Sequence, residues 1–171
     1  MRYAKDEMSE KRDLEKAALR EFGIALAQAG LGNFEVHEML EPPAPDALCS
    51  LNGKEVFVEV AHVYGTETDA KLLLGRQGRS AGDPEEHKRD ALRELGSRVI
   101  GPLNKLLATK ARKTYARAPV WLLIRSGSPL LEYADYATWY RDEITVPADG
   151  PFEEIWLLCG PLASSGALRL A

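Results

Sequence analysis

Cysteine is scarce in this chain: Cys49 and Cys159 are the only two among 171 residues. A disulfide-stapled secreted domain ordinarily carries more, and no CxxC or zinc-finger spacing occurs. The expectation is a soluble intracellular protein with two reduced thiols. Long apolar runs are also missing. The longest, such as Val120 to Ile124, fall far short of a membrane span, so a cytoplasmic location and no membrane partner are expected. The first residues, MRYAKDEMSEKRDLEK, lack the apolar stretch of a signal peptide. His37, His62 and His87 show no zinc-ligand spacing. Without a GxGxxG, a P-loop or a nucleophile elbow, nothing points to dinucleotide, nucleotide or serine-hydrolase chemistry. No internal repeat is visible.

What is present suits a single domain over residues 1–171. The composition is 45% hydrophobic and 28% charged, enough to bury a core and keep a charged surface. The net charge of −4 argues at face value against a cationic nucleic-acid binder. By segment the picture changes. Residues 34–62 carry six acids and one lysine, whereas residues 88–117 carry nine Lys and Arg against two acids. The acidic total conceals a basic segment beside an acidic one.

Leu14, Ala18, Leu19, Phe22, Ala25, Leu26 and Ala29 recur at helical spacing and predict a helix over 4–30. Residues 34–40 are a candidate strand. Asn52-Gly53 favours a type I′ turn, because both central residues need positive φ, and predicts a hairpin between 46–51 and 54–62. Residues 64–85 hold four glycines and many polar residues and read as a long loop, with Leu72-Leu73-Leu74 a possible turn of helix inside it. Residues 86–116 are helical in composition, with Gly101-Pro102 expected to break or kink them. Val120 to Arg125 and Glu154 to Cys159 read as buried strands, and 130–143 as a helix. The tail from Gly160 is expected to be peripheral. The order is helix, three strands, helix, strand, helix, strand, which is α/β with a mixed sheet.

A two-residue loop at 52–53 pairs Leu51 with Lys54 and places Asp46 opposite Glu59, with Cβ atoms about 4.5–5.5 Å apart. Two like charges so placed repel each other, and a divalent cation reverses that. Mg²⁺ prefers carboxylate oxygens and commonly uses one or two from the protein. Ala47, Cys49, Leu51, Val56, Val58 and Val60 form an apolar face. Asp46, Leu48, Ser50, Glu55, Phe57, Glu59 and Ala61 form a mixed one, as a partly covered cleft or a solvated sheet face would.

Pro45-Asp46, with Glu59 thirteen positions on in a Val-rich strand, resembles the PD-(D/E)XK signature of the restriction-endonuclease-like nucleases. The resemblance implies an αβββαβ core over about residues 10–126, with 127–171 as a C-terminal elaboration. It also implies a Mg²⁺ (or Mn²⁺) site at Asp46 and Glu59. One position departs: the family pattern asks for lysine two residues after the glutamate, and Ala61 stands there. That lysine supplies an ammonium to the attacking water or to the developing charge. Lys54 and His62 have the wrong strand parity to replace it. Some relatives supply it from the helix after the hairpin, which here offers Lys110 first and Lys105 second. The first helix often adds an acid in this family. Glu15 lies inside its apolar arc, where an unpartnered carboxylate is costly, and Glu21 lies at its edge.

The implied function is metal-dependent hydrolysis of DNA or RNA, with Asp46, Glu59 and Glu15 on the metal, Lys110 or Lys105 beside the water, nucleic acid along 88–117 and a possible homodimer. The alternative is an inactive nuclease-like fold that binds nucleic acid or protein. Trp121, Trp139 and Trp156 are expected in the core rather than on a base-stacking surface.

Overall fold

The computed structural model describes residues 2–63, 84–127, 131–160 and 166–171, and within these the side chains outside 2–8, 84–95, 97, 139 and 140. The expected 64–85 loop, with its Leu72-Leu73-Leu74 turn, therefore lies almost wholly outside the described residues. So do the side chains of Trp139 and His87.

Helix α1 spans Arg2–Gln28. It is followed by strands β1 (Phe34–Met39), β2 (Ala47–Leu51) and β3 (Lys54–Val63). Helix α2 spans Pro84–Lys110 and leads to β4 (Val120–Ser126). An α turn at Tyr133–Asp135, a π turn at Tyr136–Tyr140 and a 3₁₀ turn at Arg141–Glu143 form a broken helical stretch. Strands β5 (Phe152–Cys159) and β6 (Gly166–Arg169) complete the order. The architecture is α/β around a six-stranded mixed sheet, β1 to β6 in sequence order. The pairs β3/β4 and β4/β5 are parallel and the rest antiparallel. No described helix is long and apolar enough to cross a membrane.

The hairpin register is the expected one: Leu51 pairs with Lys54 and Ala47 with Val58. Asn52 and Gly53 adopt φ values of 53° and 81°, as a type I′ turn requires. The Asn52 side chain also ties the turn to the end of α1, accepting from the Asn33 N–H at 2.9 Å and donating to the Leu31 carbonyl at 3.2 Å. Gly32 permits this contact, because a Cβ there would stand 2.1 Å from Asn52 Oδ1.

Strand alternation divides the core between the two sheet faces. Ala18, Leu19, Phe22, Ala25 and Leu26 of α1 cover Ala47, Cys49, Val56, Val58, Val60, Trp121, Leu123 and Trp156. Val99, Ile100, Leu103 and Leu107 of α2 cover Ala61, Val63, Leu122, Ile124 and Leu157. Trp121 and Trp156 thus belong to the core, as expected. Burial pushes the thiols of Cys49 and Cys159 up to about 12, so both are protonated packing groups rather than nucleophiles.

Four expectations are corrected. Of the two outcomes expected at Gly101-Pro102, a split into two helices is corrected, since α2 runs unbroken from Pro84 to Lys110. Pro102 sits on the exposed face, where water can satisfy the carbonyl that loses its hydrogen bond. Residues 111–116 are not helical: α2 ends at Lys110, and the Lys113 N–H donates to the Lys110 carbonyl at 3.0 Å in a tight turn. The tail is not simply peripheral, since β6 adds an antiparallel strand to β5. Ala29 lies beyond the end of α1 and is exposed.

Candidate metal and phosphate site

The hairpin places Asp46 and Glu59 together through a local irregularity. In a continued ladder the Val60 N–H would bond to the carbonyl of residue 45. The ladder ends at Ala47, and Asp46 Oδ2 accepts the Val60 N–H instead, at 2.8 Å. The carboxylate is thereby fixed at the end of β2, next to Glu59.

Glu59 has the parity of Ala61 and Val63 and faces α2. Its Oε1 accepts hydrogen bonds from Lys110 Nζ and from Lys113 Nζ, each at 2.6 Å. The Glu59 side chain is 5% exposed, Lys110 16% and Lys113 47%. Burial opposes ionisation of Glu59, but the two ammonium groups outweigh it and hold its pKa below the usual glutamate value. Lys113 in turn is desolvated, yet its bond to Glu59 raises its pKa. The half-buried Tyr115 also belongs here. Burial first, and then the Glu59 charge, push its hydroxyl well above the ordinary tyrosine range.

Glu15 reaches the site from the other face of the sheet. It is 6% exposed in spite of its charge and pairs with Lys11 one turn back at 3.1 Å. No aligned hydrogen bond satisfies its buried Oε1. Lys11 has a raised pKa, mainly through its ion pair with Glu15, with Asp46 and Glu59 adding to it. Three carboxylates and three lysines therefore share one electrostatic neighbourhood at the end of the hairpin. Glu21 lies elsewhere on α1, where its Oε1 accepts from Arg125 at 2.9 Å. His62 faces the α1 side, and burial, followed by Arg125, Lys11 and Lys110, lowers its pKa. Lys105 lies on the exposed face of α2, away from these contacts.

Asp46 has the most perturbed carboxyl of the group. Burial, with the charges of Glu59 and Glu15, raises its pKa from 3.8 to about 6, against the opposing effects of the Val60 N–H and Lys11. The folded chain keeps this proton over a pH range in which the unfolded chain has lost it. The stabilising contribution of Asp46 therefore falls as pH rises from about 4 to about 6 and is level above that. Glu59 acts in the opposite sense: its contribution is present above the ordinary glutamate pKa and is lost as pH falls through its lowered folded value. Asp46→Asn should remove the first effect. Melting temperatures of wild type and variant, followed by fluorimetry from pH 4 to 8, are expected to converge at the acid end. The variant should gain relative to wild type as pH rises.

The donor set suits a hard cation. Asp46 and Glu59 are neighbouring carboxylate oxygen donors, whereas Glu15 Oε1 is already engaged by Lys11 at 3.1 Å. Two protein carboxylates are a common complement for Mg²⁺. The structure does not gather a third ligand in this side-chain arrangement: among the described residues no three of His, Cys, Asp and Glu form a metal-holding group. Glu15 and Glu59 approach from opposite sheet faces, which is the physical reason.

Of the residues singled out from sequence, Asp46, Glu59 and Lys110 come together, Glu15 lies beside them, and Lys105 does not join. Sequence reasoning missed Lys113, because nothing in ATKARKTY says where the helix stops. It also missed Lys11, although its i,i+4 spacing to Glu15 was a usable signal. Comparison of the chain with protein-family models, curated proteins and solved structures finds no match.

Proposed function

We propose that this chain is a metal-dependent phosphodiesterase acting on nucleic acid, built on a PD-(D/E)XK-like αβββαβ core. The observation that carries this reading is the 2.6 Å contact between Lys110 and Glu59. The resemblance lacks its lysine at position 61, and an ammonium from α2 stands at the same carboxylate. The roles follow from chemistry. Asp46 and Glu59 hold the divalent ion, with Glu15 as an outer acid. The ion, when bound, acidifies a water and neutralises phosphate charge. Lys110 orients the attacking water or meets the charge that develops on the phosphate oxygens. Arg112, Lys113 and Arg117, exposed beyond the end of α2, supply phosphate contacts whose strength falls with salt.

The test is incubation with plasmid, single-stranded DNA and RNA in Mg²⁺ or Mn²⁺. Cleavage is expected with metal and is expected to stop on chelation. Lys110→Met should lower the rate about a hundredfold while leaving substrate affinity nearly unchanged. If wild type and Asp46→Ala are equally inert on every substrate, the enzymatic reading falls. The second reading, a nuclease-like module that binds without cutting, is favoured by one feature: Glu59 is already neutralised by two lysines. It predicts salt-sensitive nucleic-acid binding with no turnover.

A further inference from the structure

The two lysines on Glu59 are not equivalent, and the difference assigns a role to Lys113. Lys110 belongs to the last turn of α2 and is 16% exposed. Lys113 lies beyond the helix end, in a turn closed by its own N–H, and is 47% exposed. Both ammonium groups share a single oxygen, Oε1. A divalent cation approaching that oxygen meets the repulsion of two fixed positive charges in a half-buried setting, where screening is weak. Moving one lysine away removes much of the barrier. Lys113 is the one that can move, since it is the more exposed and its anchor is a turn rather than a helix. Its ammonium stands 5.9 Å from the Tyr115 ring centroid, and the same segment carries the exposed Arg112 and, four positions on, Arg117. An exposed ammonium among exposed cations is placed where an anionic phosphate would be attracted.

We propose that Lys113 is an exchangeable positioning residue. It leaves Glu59 Oε1 for an oxygen of an incoming phosphodiester, while Lys110 stays on the carboxylate. Substrate and divalent cation then load cooperatively, each lowering the barrier for the other. This inference rests on the reading of Asp46 and Glu59 as the metal ligands. Linkage makes the coupling reciprocal, so it is measurable without turnover.

The probes are Mn²⁺ alone, titrated by calorimetry, and a fluorescently labelled single-stranded oligonucleotide with phosphorothioate linkages, followed by anisotropy with and without Mn²⁺. Wild type, Lys113→Gln and Lys110→Gln are compared, with circular dichroism as the check on folding. Without oligonucleotide, Lys113→Gln is expected to bind Mn²⁺ about tenfold more tightly than wild type. Mn²⁺ should strengthen oligonucleotide binding by wild type about as much, and should do so far less for Lys113→Gln. Equal Mn²⁺ affinity in wild type and Lys113→Gln overturns the proposal but leaves the metal site standing, as does a wild-type oligonucleotide affinity indifferent to Mn²⁺. The same phenotype in Lys110→Gln rather than Lys113→Gln overturns the assignment to Lys113. No Mn²⁺ binding by any of the three proteins overturns both the exchange and the metal-site reading.

Discussion

Replacing Asp46 by asparagine is expected to lower metal-dependent cleavage about a thousandfold, equivalent to about 4 kcal/mol of transition-state stabilisation. The substitution separates two functions of one side chain. An amide oxygen can still accept the Val60 N–H that the carboxylate accepts at 2.8 Å, so the end of the hairpin keeps its shape. The negative charge that the proposed divalent cation would need is lost. Initial rates on a labelled oligonucleotide, measured at several Mg²⁺ or Mn²⁺ concentrations, check this. A rate within a few-fold of wild type would place the metal elsewhere. The pH response supplies an independent signature. On a carboxyl with a pKa of about 6 protons compete with a metal ion for the same oxygens, so cleavage by wild type should rise with pH through that region, and higher metal concentration should move the rise to lower pH.

Phe22→Ala is expected to cost about 4 kcal/mol of folding stability. That is a large share of the roughly 5–15 kcal/mol available to a typical domain, and it should lower the melting temperature by roughly 10 °C. The ring is fully buried. It makes edge-on contacts with Phe34 at 5.1 Å and Trp156 at 5.5 Å between centroids, so truncation leaves a cavity between α1, β1 and β5 and also loses the aromatic contacts. Thermal unfolding followed by circular dichroism reads the effect, and Phe22→Leu should recover most of it. The consequence reaches the site. Glu15 lies two turns before Phe22 on the same buried face of α1, so a loosened helix also releases the acid that α1 holds near Asp46. A loss of activity greater than the loss of folded protein would reveal that link.

Several features were legible in the sequence because they depend on local rules. Asn52-Gly53 set the turn type, the turn type set the register, and the register carried Asp46 toward Glu59 before any contact was known. The alternation of Val56, Val58 and Val60 against Phe57, Glu59 and Ala61 separated the two sheet faces. The apolar stripe of α1 singled out Glu15 as an acid in the wrong place for a surface residue, and it is indeed buried. The helix termini and β6 were not legible. Pro102 looks like a break in any local scheme and is tolerated because the fold turns it to water, whereas the pairing of Gly166–Arg169 depends on the edge of β5 that β4 leaves unpaired.

The sequence by itself determined the α/β order of elements, the hairpin and the carboxylate pair at its end, since each follows from side-chain periodicity or turn stereochemistry over a few residues. It also determined that a segment with nine basic residues against two acids, 88–117, follows an acidic hairpin. Only the tertiary structure decided which of those basic residues face the acids. Helix α2 crosses the sheet and stops at Lys110, and the turn beyond it brings Lys113 back to the same Glu59 oxygen, while Lys105 points to solvent. The physical reason is that charge is a property of residues whereas electrostatic coupling is a property of distance. Lys110 and Glu59 are 51 positions apart in the chain and 2.6 Å apart in space, and no spacing rule connects them.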